Sequence, residues 1–227
     1  MEYFLIVAFL FIVGAVIGWV IEVLFRRFFS QKRWVNPGFL VGPYLPLYGF
    51  GLCGLFGLAN IDLSFITTNY TLQVIIMVAL MTIVMTIIEY IAGLIFIKGM
   101  NIKLWDYSNR KGNIQGIICP LFTFFWAVIS AVYVLFIHKF VLSWVSWFTN
   151  NIAFSFVVGV FIGAMIIDFG YSMHLATKIK HYAKEMQIVV HYEKLKDTIS
   201  SRLKAIKQHS VFMFPFTVSY THLRAHE

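Results

Sequence analysis

Three acidic residues lie inside apolar segments of this 227-residue chain, and they are the side chains best placed to do chemistry. Glu22, Glu89 and Asp168 each lie three to eight residues before a basic loop or tail. A charge at this depth in a bilayer costs several kcal/mol unless it is paired or hydrated, so such residues are functional candidates by default. Their partners must be loop cations, polar loop groups, water or protons.

A purely structural role is the competing interpretation of these carboxylates. No lysine or arginine lies within the apolar segments to neutralise them. Basic residues at the helix ends could pair with the acids instead and lock the ends together. The candidates for such pairs are Arg26, Arg27, Lys98 and Lys103.

The stretch KRWVNPGFLVGPYLPLYGFG, residues 32–51, is a second candidate feature. Pro43 and Pro46 would each interrupt a helix, because each lacks an amide and frees the carbonyl four residues earlier. Unpaired backbone at membrane depth persists only when it faces protein or water. We therefore predict a kinked or re-entrant segment. Its free carbonyls, at Phe39 and Gly42, are expected to face the same cavity as the three acids.

The two longest basic loops resemble each other. They read RRFFSQKRWVNPG and KGMNIKLWDYSNRKGN, and each follows an acid-bearing segment. Each contains a tryptophan and ends on an asparagine that can cap the next helix. The pattern predicts two parallel helix pairs followed by a fifth helix. The site candidates in and after these loops are Asn36, Pro43, Pro46, Tyr48, Trp105, Asp106, Tyr107 and Asn113.

Membrane helices are the elements that must position these residues. The chain is 60% hydrophobic and only 12% charged, whereas a soluble domain carries about 25% charged residues. About 20 helical residues cross the roughly 30 Å core of a bilayer, and five segments are long enough. We predict an all-α polytopic membrane protein with spans at about 4–25, 39–59, 72–97, 114–137 and 152–173.

Lysine and arginine counts predict the orientation of these spans. The four loops and the tail to Phe216 carry 4, 0, 4, 1 and 8 of them. The positive-inside rule places the N-terminus outside and the C-terminus in the cytoplasm. The net charge of +8 is thus explained by the basic residues that orient the protein in the membrane, and no nucleic-acid partner is expected. Loop residues that could dock a cytoplasmic partner are Arg26, Arg27, Arg33, Lys103 and Arg110.

The tail, residues 174–216, is predicted to be cytoplasmic. Apolar residues recur at steps of three and four up to His209, which predicts an amphipathic helix with a basic polar face. It could lie on anionic lipid, pair as a coiled coil or dock a partner. The last ten residues, VSYTHLRAHE (218–227), resemble a translated sequencing adapter and are set aside. We then expect that the natural sequence is interrupted near Phe216, before its true C-terminus.

Enzyme motifs are absent from the sequence. GxSxG, HExxH and Walker A patterns do not occur. We therefore expect no cofactor, no metal site and no nucleotide hydrolysis by the chain itself. His138 and His174 are single and interfacial, and no acid is spaced from them as a relay would need.

Three sequence blocks are specific in combination. They are GWVIEVLF, RWVNPGFLVGPYLPLYGFG and LWDYSNRKGNIQGIICP, which begin at residues 18, 33 and 104. With them the chain resembles, over about residues 6–168, the CmpB-like family of ABC transporter permeases. The resemblance implies a small transport subunit, multi-pass in a bacterial cytoplasmic membrane, with a cytoplasmic ATPase as partner. The residues it carries over are Gly18, Trp19, Glu22, Trp34, Asn36, Pro37, Gly38, Gly42, Pro43, Pro46, Tyr48, Gly49, Trp105, Asp106, Tyr107 and Asn113.

Three functions remain open from the sequence. The first is a transport subunit whose cytoplasm-facing site is formed by the inner-leaflet acids and the proline-broken second helix. The second is a membrane-embedded enzyme acting on lipid or cell-envelope substrates, with paired carboxylates as acid and base. The third is a scaffold without turnover. Because five spans are few for a complete translocation path, a homodimer or a partner subunit is expected.

Overall fold

A computed structural model of the protein describes residues 2–30, 32, 34–100, 102–185 and 190–191. Through Val190 they form one compact unit, and of a second unit, His191–Glu227, only His191 is described. The described chain is predominantly helical. Four helices are long and apolar enough to cross a membrane, namely Glu2–Phe29, Tyr70–Gly99, Pro120–Asn150 and Ile152–Thr177.

The described residues form six α-helices and three shorter helical turns. Helix α1 is Glu2–Phe25 and continues as a π-helical turn, Arg26–Ser30; α2 is Pro46–Ala59 and α3 is Tyr70–Met100. Helix α4, Pro120–Val132, runs through a π-helical turn, Tyr133–Ile137, into α5, His138–Asn150. A 3₁₀ turn, Ile152–Phe154, precedes α6, Ser155–Glu185. The two-residue strands are β1, Ile102–Lys103, and β2, Val190–His191.

Four of the five predicted spans overlap long apolar helices: the first, third and fifth over most of their length, and the fourth over residues 120–137. Apolar side chains project from these helices in exposed stripes, as lipid-facing surfaces require; on α3 the stripe is Ile83, Ile87, Ile91 and Ile95. Helix α6 continues past residue 173 to Glu185, so the start of the predicted tail is helical. The rest of the predicted tail helix and the adapter-like residues lie outside the described residues, apart from β2.

The second predicted span, 39–59, is wrong at its start. Residues 39–45 are not helical, and α2 begins at Pro46 with Leu45 extended before it. Proline disfavours helical geometry in the residue before it, and its fixed φ and missing amide suit the first residue of a helix. Pro46 therefore starts a helix and does not break one. Pro37 lies in the same non-helical stretch.

The fourth predicted span, 114–137, also begins later than expected. Ile114 pairs with Ile118 in a short antiparallel bridge, and the helix starts at Pro120 after an extended Cys119. The predicted caps, Asn36 and Asn113, precede irregular chain, so neither caps a helix. In both halves the helix starts at a proline that was predicted to lie inside it, and the asparagine predicted to cap it lies several residues earlier.

The core is formed where α1, α2 and α3 pack together with the π-helical turn after α4. Leu10, Leu55, Met81 and Tyr133 are buried there in one apolar cluster. Close approach of α1 and α2 depends on Gly18, because a Cβ at that position would overlap the Tyr48 ring. The packing brings the C-terminal half of α1, with Glu22, against the start of α2.

Candidate functional site

Asp168 of α6 binds the non-helical chain that precedes α2, which we call the broken segment (residues 34–45). Its carboxylate accepts hydrogen bonds from the backbone amides of Val41, at 3.2 Å, and Gly42, at 2.8 Å. The hydroxyls of Tyr44, at 2.8 Å, and Ser172, at 3.2 Å, also donate to it. A single carboxylate thus ties this segment to a helix more than 120 residues away in sequence.

The Gly42 carbonyl, predicted to be free, has a partner within the broken segment. The Gly42 carbonyl accepts from the Tyr44 amide at 2.9 Å. The Asn36 side chain donates to the Val41 carbonyl at 2.7 Å, and its own oxygen accepts from the Trp19 indole at 2.6 Å. The segment faces an acid with its amides, and that acid is Asp168. Asn36 therefore links the segment to α1 through hydrogen bonds.

Glu22 is held by a cation and a hydroxyl. The Arg26 guanidinium, one turn further along the helix, donates to its carboxylate at 2.9 Å. The Tyr48 hydroxyl of α2 donates to the other oxygen at 3.1 Å. The structural interpretation of the acids, pairing with a basic residue at the helix end, is therefore correct for Glu22.

Glu89 has a different environment. Its side chain lies in the interior of the bundle, 4% exposed. The Trp126 indole of α4 donates to it at 2.8 Å and the Tyr107 hydroxyl at 3.2 Å. Both donors are neutral, and no cation among the described residues contacts this carboxylate. A buried carboxylate in this condition is costly unless it takes up a cation or a proton.

Glu22 and Glu89 belong to one centre, which we call the Glu22–Glu89 centre and which also contains Tyr48, Tyr107 and Trp126. Both carboxylates act electrostatically on the Tyr48 hydroxyl. The pKa of Tyr107 is raised by burial first, then by the charges of Glu89, Tyr48 and Glu22. The Tyr48 and Trp126 rings lie 6.3 Å apart between the two acids. The predicted trio therefore separates into a pair and a single residue, because Asp168 bonds to the broken segment.

The loop between α3 and α4 folds on itself. The Trp105 indole donates to the Ile117 carbonyl at 2.8 Å, and the Tyr107 amide to the Gly116 carbonyl at 2.8 Å. Asn113 donates from its side chain to the Ser108 and Arg110 carbonyls. These bonds orient the Tyr107 ring, whose hydroxyl then reaches Glu89. Trp105 and Asn113, predicted site residues, support the site from outside it.

Asp106 is also a supporting residue. Its carboxylate accepts from the Ser108 amide at 2.9 Å and from Lys103 at 3.3 Å. Burial acts to raise the pKa of Asp106, but the bonds from Ser108 and Lys103 outweigh it and hold the pKa below its usual value. Asp106 therefore stays charged and pins the turn that carries Tyr107.

The basic residues expected to dock a partner divide into three groups. Arg26 and Lys103 are paired with acids of the same chain. The Arg27 guanidinium donates to the Lys32 carbonyl at 2.6 Å and lies 5.4 Å from the centre of the exposed Trp34 ring. Arg110 is exposed, and Arg33 lies outside the described residues. Their role in docking stays a prediction.

Trp126 and Tyr44 were missed by the sequence analysis. Trp126 lies in a span that reads as continuously apolar, and its only signal was a hydrogen-bond donor within such a span. Tyr44 lies between two prolines in the stretch that was singled out, but only the fold brings Asp168 to it.

Comparison with known proteins finds one family. A family model described as "Putative ABC-transporter type IV" matches residues 9–173. No curated protein matches the chain, and no solved structure matches it. The matched region contains all three acids, the broken segment and both basic loops, as the sequence resemblance implied. The protein therefore belongs to this ABC-transporter type IV family, the CmpB family, and is a membrane transport-related protein.

Proposed function

We propose that the protein is the membrane subunit of a transport system and that the Glu22–Glu89 centre is its substrate-handling site. One observation carries the proposal: Glu89, 4% exposed in an apolar bundle, is met by neutral donors from two other elements. Intramembrane acids that lack a compensating cation mark ion and proton pathways in membrane proteins. Family membership supports the same conclusion.

The proposed topology has five crossings in a bacterial cytoplasmic membrane. The fourteen residues of α2 span about 21 Å as a helix, which is short of a bilayer core of about 30 Å. The broken segment would supply the remaining distance on the cytoplasmic side. Irregular backbone is tolerated at such depth when its polar groups are satisfied within the protein, and the bonds to Asp168 and Asn36 do this.

Discontinuous helices of this kind are the usual binding elements of transporters. The broken segment leads directly into Tyr48, which donates to Glu22. Its attachment to α6 runs through the carboxylate of Asp168. We therefore assign the segment as the moving part, with Asp168 as the residue that holds it in the closed position.

A cytoplasmic ATPase is the proposed partner, docked on the exposed basic loops around Arg27 and Arg110. A homodimer is the alternative way to complete a translocation path. Purification of the tagged protein from its native membrane, after crosslinking, tests both proposals. Recovery of an ATP-binding subunit, or of a crosslinked dimer, supports them, and recovery of the monomer alone contradicts both.

Uptake separates transport from the scaffold role. Cells lacking the gene, complemented with wild type or with Glu89→Gln, are compared for accumulation of ions and small solutes. We expect a solute whose level depends on wild type and is not restored by Glu89→Gln, although the variant reaches the membrane. Asp62→Asn, which neutralises an exposed acid in the loop after α2 and outside the centre, is the matched control. Equal solute levels in all strains would contradict transport and leave a structural role.

A further inference from the structure

The Asp168 carboxylate lies in a set of three hydrogen-bond donors that come from one short stretch of the broken segment. The Val41 amide donates to Oδ1 at 3.2 Å, and the Gly42 amide donates to Oδ2 at 2.8 Å. The Tyr44 hydroxyl also donates to Oδ2, at 2.8 Å. We call these three donors the carboxylate cradle. The fourth donor to Asp168, the Ser172 hydroxyl, belongs to the same helix as Asp168 and not to the segment.

Hydrogen bonds that do not involve Asp168 hold the cradle in place at both ends. Before it, the Asn36 side chain donates to the Val41 carbonyl at 2.7 Å. After it, the Leu45 amide donates to the Ala15 carbonyl of α1 at 2.9 Å. The ends of the cradle are therefore fixed independently of α6. We expect the donors to keep their positions when Asp168 is removed.

The Tyr44 hydroxyl is held beside the Gly42 amide. The Tyr44 amide donates to the Gly42 carbonyl at 2.9 Å, and a Cβ at Gly42 would overlap the Tyr44 ring and its hydroxyl. Glycine therefore allows the ring to lie directly over the backbone. Tyr44 is buried, 6% exposed, so packing restricts rotation of the ring. The amide and the hydroxyl that bind Oδ2 are thus a pre-organised pair.

Donors in this arrangement suit a carboxylate. Successive backbone amides form anion-binding concavities in proteins, and an ionised carboxylate can accept on both of its oxygens. The cradle offers one amide to each oxygen and adds a hydroxyl to the second. Among the described residues no lysine or arginine contacts the Asp168 carboxylate, so neutral donors alone bind its charge.

We propose that the broken segment is a binding site for a small organic acid and that Asp168 is an intramolecular competitor for this site. The carboxylate of the ligand takes the place of the Asp168 carboxylate in the cradle. The inference rests on the proposed function for the consequence of binding, because a ligand that displaces Asp168 frees the moving segment from α6. It adds to that function a ligand class and a trigger for opening.

The cradle lies at the surface of the bundle. Val41 is 61% exposed, and Pro43, which lies within the cradle stretch, is also exposed. On α6, Asp168 is partly exposed and its neighbour Phe169 is exposed. Displacement of Asp168 therefore does not require the buried Glu22–Glu89 centre to open.

Titration with acetate tests the site directly. The isotope-labelled full chain is prepared in detergent micelles at neutral pH, and NMR follows the Val41 and Gly42 amide signals as acetate replaces chloride at constant ionic strength. We expect saturable shifts of both signals. The half-saturating acetate concentration in Asp168→Ala should be at least about tenfold lower than in wild type, since a tethered competitor acts at an effective concentration on the order of millimolar.

Two further variants identify the donors. Tyr44→Phe in the Asp168→Ala background keeps the ring over Gly42 and removes the hydroxyl. It should weaken acetate binding by about tenfold or more, because hydrogen bonds to charged groups are among the stronger ones. Asp62→Ala is the matched control, since Asp62 accepts from the amide and the hydroxyl of Ser64 in a loop outside the segment. It should leave the wild-type titration unchanged.

Several results would overturn the inference. Equal half-saturation in wild type and Asp168→Ala would mean that Asp168 does not compete for the site. Shifts of the same size with inorganic phosphate would remove the carboxylate class. The wild-type titration needs no substitution, so it decides even where Asp168→Ala does not fold. Wild-type amide signals that stay in place at every acetate concentration would mean that Asp168 is not displaced.

The titration also separates this inference from the proposed function, because it measures binding and needs no transport. Uptake in cells that depends on Glu89, without acetate-dependent shifts at Val41 and Gly42, would leave transport standing and remove the carboxylate site. Acetate-dependent shifts, without any solute whose uptake depends on the protein, would do the reverse.

Discussion

The two halves of the bundle, α1 with α2 and α3 with α4, are built on one plan with different partners. In each half an acid on the first helix accepts a hydrogen bond from the hydroxyl of a tyrosine that follows it in the chain. In each the second helix begins at a proline, Pro46 or Pro120, after an extended residue. Yet Glu22 has an arginine for a partner, and Glu89 has only neutral donors.

The connecting segments differ as well. The loop before α4 satisfies its own backbone through Trp105 and Asn113. The broken segment before α2 relies on Asp168, a residue of another helix. The comparison teaches that one half is self-contained and carries the uncompensated acid. In the other half the acid, Glu22, is paired with a cation. The broken segment of that half is attached to α6 by hydrogen bonds that could be released.

Removal of each acid gives the largest predicted difference between the halves. Glu89→Ala leaves the Trp126 and Tyr107 donors buried without this partner, which at about 1–3 kcal/mol each lowers the free energy of unfolding by about 2–6 kcal/mol. Glu22→Ala removes an ion pair worth about 0–1 kcal/mol and leaves one donor, the Tyr48 hydroxyl, without this partner at about 1–3 kcal/mol, so its loss should be smaller, about 1–4 kcal/mol. Unfolding in mixed detergent micelles measures both, and equal losses would remove the distinction between the acids.

The attachment of the broken segment is the next largest effect. Asp168→Asn weakens bonds to a charged acceptor worth about 1.5–3 kcal/mol. Hydrogen exchange at the Val41 and Gly42 amides should then become about 10- to 100-fold faster. The amides of the self-contained loop, such as Tyr107, are the control and should not change. Equal acceleration in both segments would mean that Asp168 stabilises the whole bundle.

Helix contact within the first half is tested by Gly18→Ala. The new Cβ would overlap the Tyr48 ring, and overpacking of this kind typically costs about 1–3 kcal/mol. Gly57→Ala is the matched control, because no atom lies near its added Cβ and alanine in a helix gains about 0.5–1 kcal/mol. Thermal unfolding in detergent should separate the two variants in opposite directions, and a neutral Gly18→Ala would contradict the close contact.

The smallest effect concerns Asp106 in the self-contained loop. Because its pKa is lower in the folded protein than in the unfolded chain, it stabilises the loop at pH values above its unfolded pKa. That contribution is lost as the pH falls through the lower, folded pKa. Protection of the Ser108 amide, measured relative to its intrinsic exchange rate at each pH, should therefore fall on acidification in wild type. In Asp106→Asn this protection should be low at every pH, and a pH response of the protection that survives the substitution would assign it to another group.

Much of the architecture could be predicted because apolar length is a local property. Three helices, the family and the disruption around Pro43 followed from composition and motif. The orientation of the broken segment could not be predicted. It depends on Asn36, which donates to the Val41 carbonyl, and on Asp168, which accepts from the Gly42 amide. The positions of prolines predict where a helix cannot continue. They do not predict which distant group will form hydrogen bonds with the backbone there.

The candidate site shows the same division. Glu89 stood out in the sequence as a carboxylate inside an apolar span, but its donor Trp126 lies 37 residues away. The contact between the Tyr133 hydroxyl and the His138 imidazole, at 3.2 Å, depends on the π-helical turn Tyr133–Ile137, and no residue in YVLFI predicts such a turn.

The sequence by itself determined that this chain is a membrane protein, where its acids lie along each span, and which family it belongs to. Those properties depend on apolar length, charge and local motifs, which the chain carries wherever it folds. Only the tertiary structure decided which acid has a cation and which has not, because that depends on donors brought from other helices. The desolvation cost of a buried carboxylate then makes the difference matter, and it singles out Glu89.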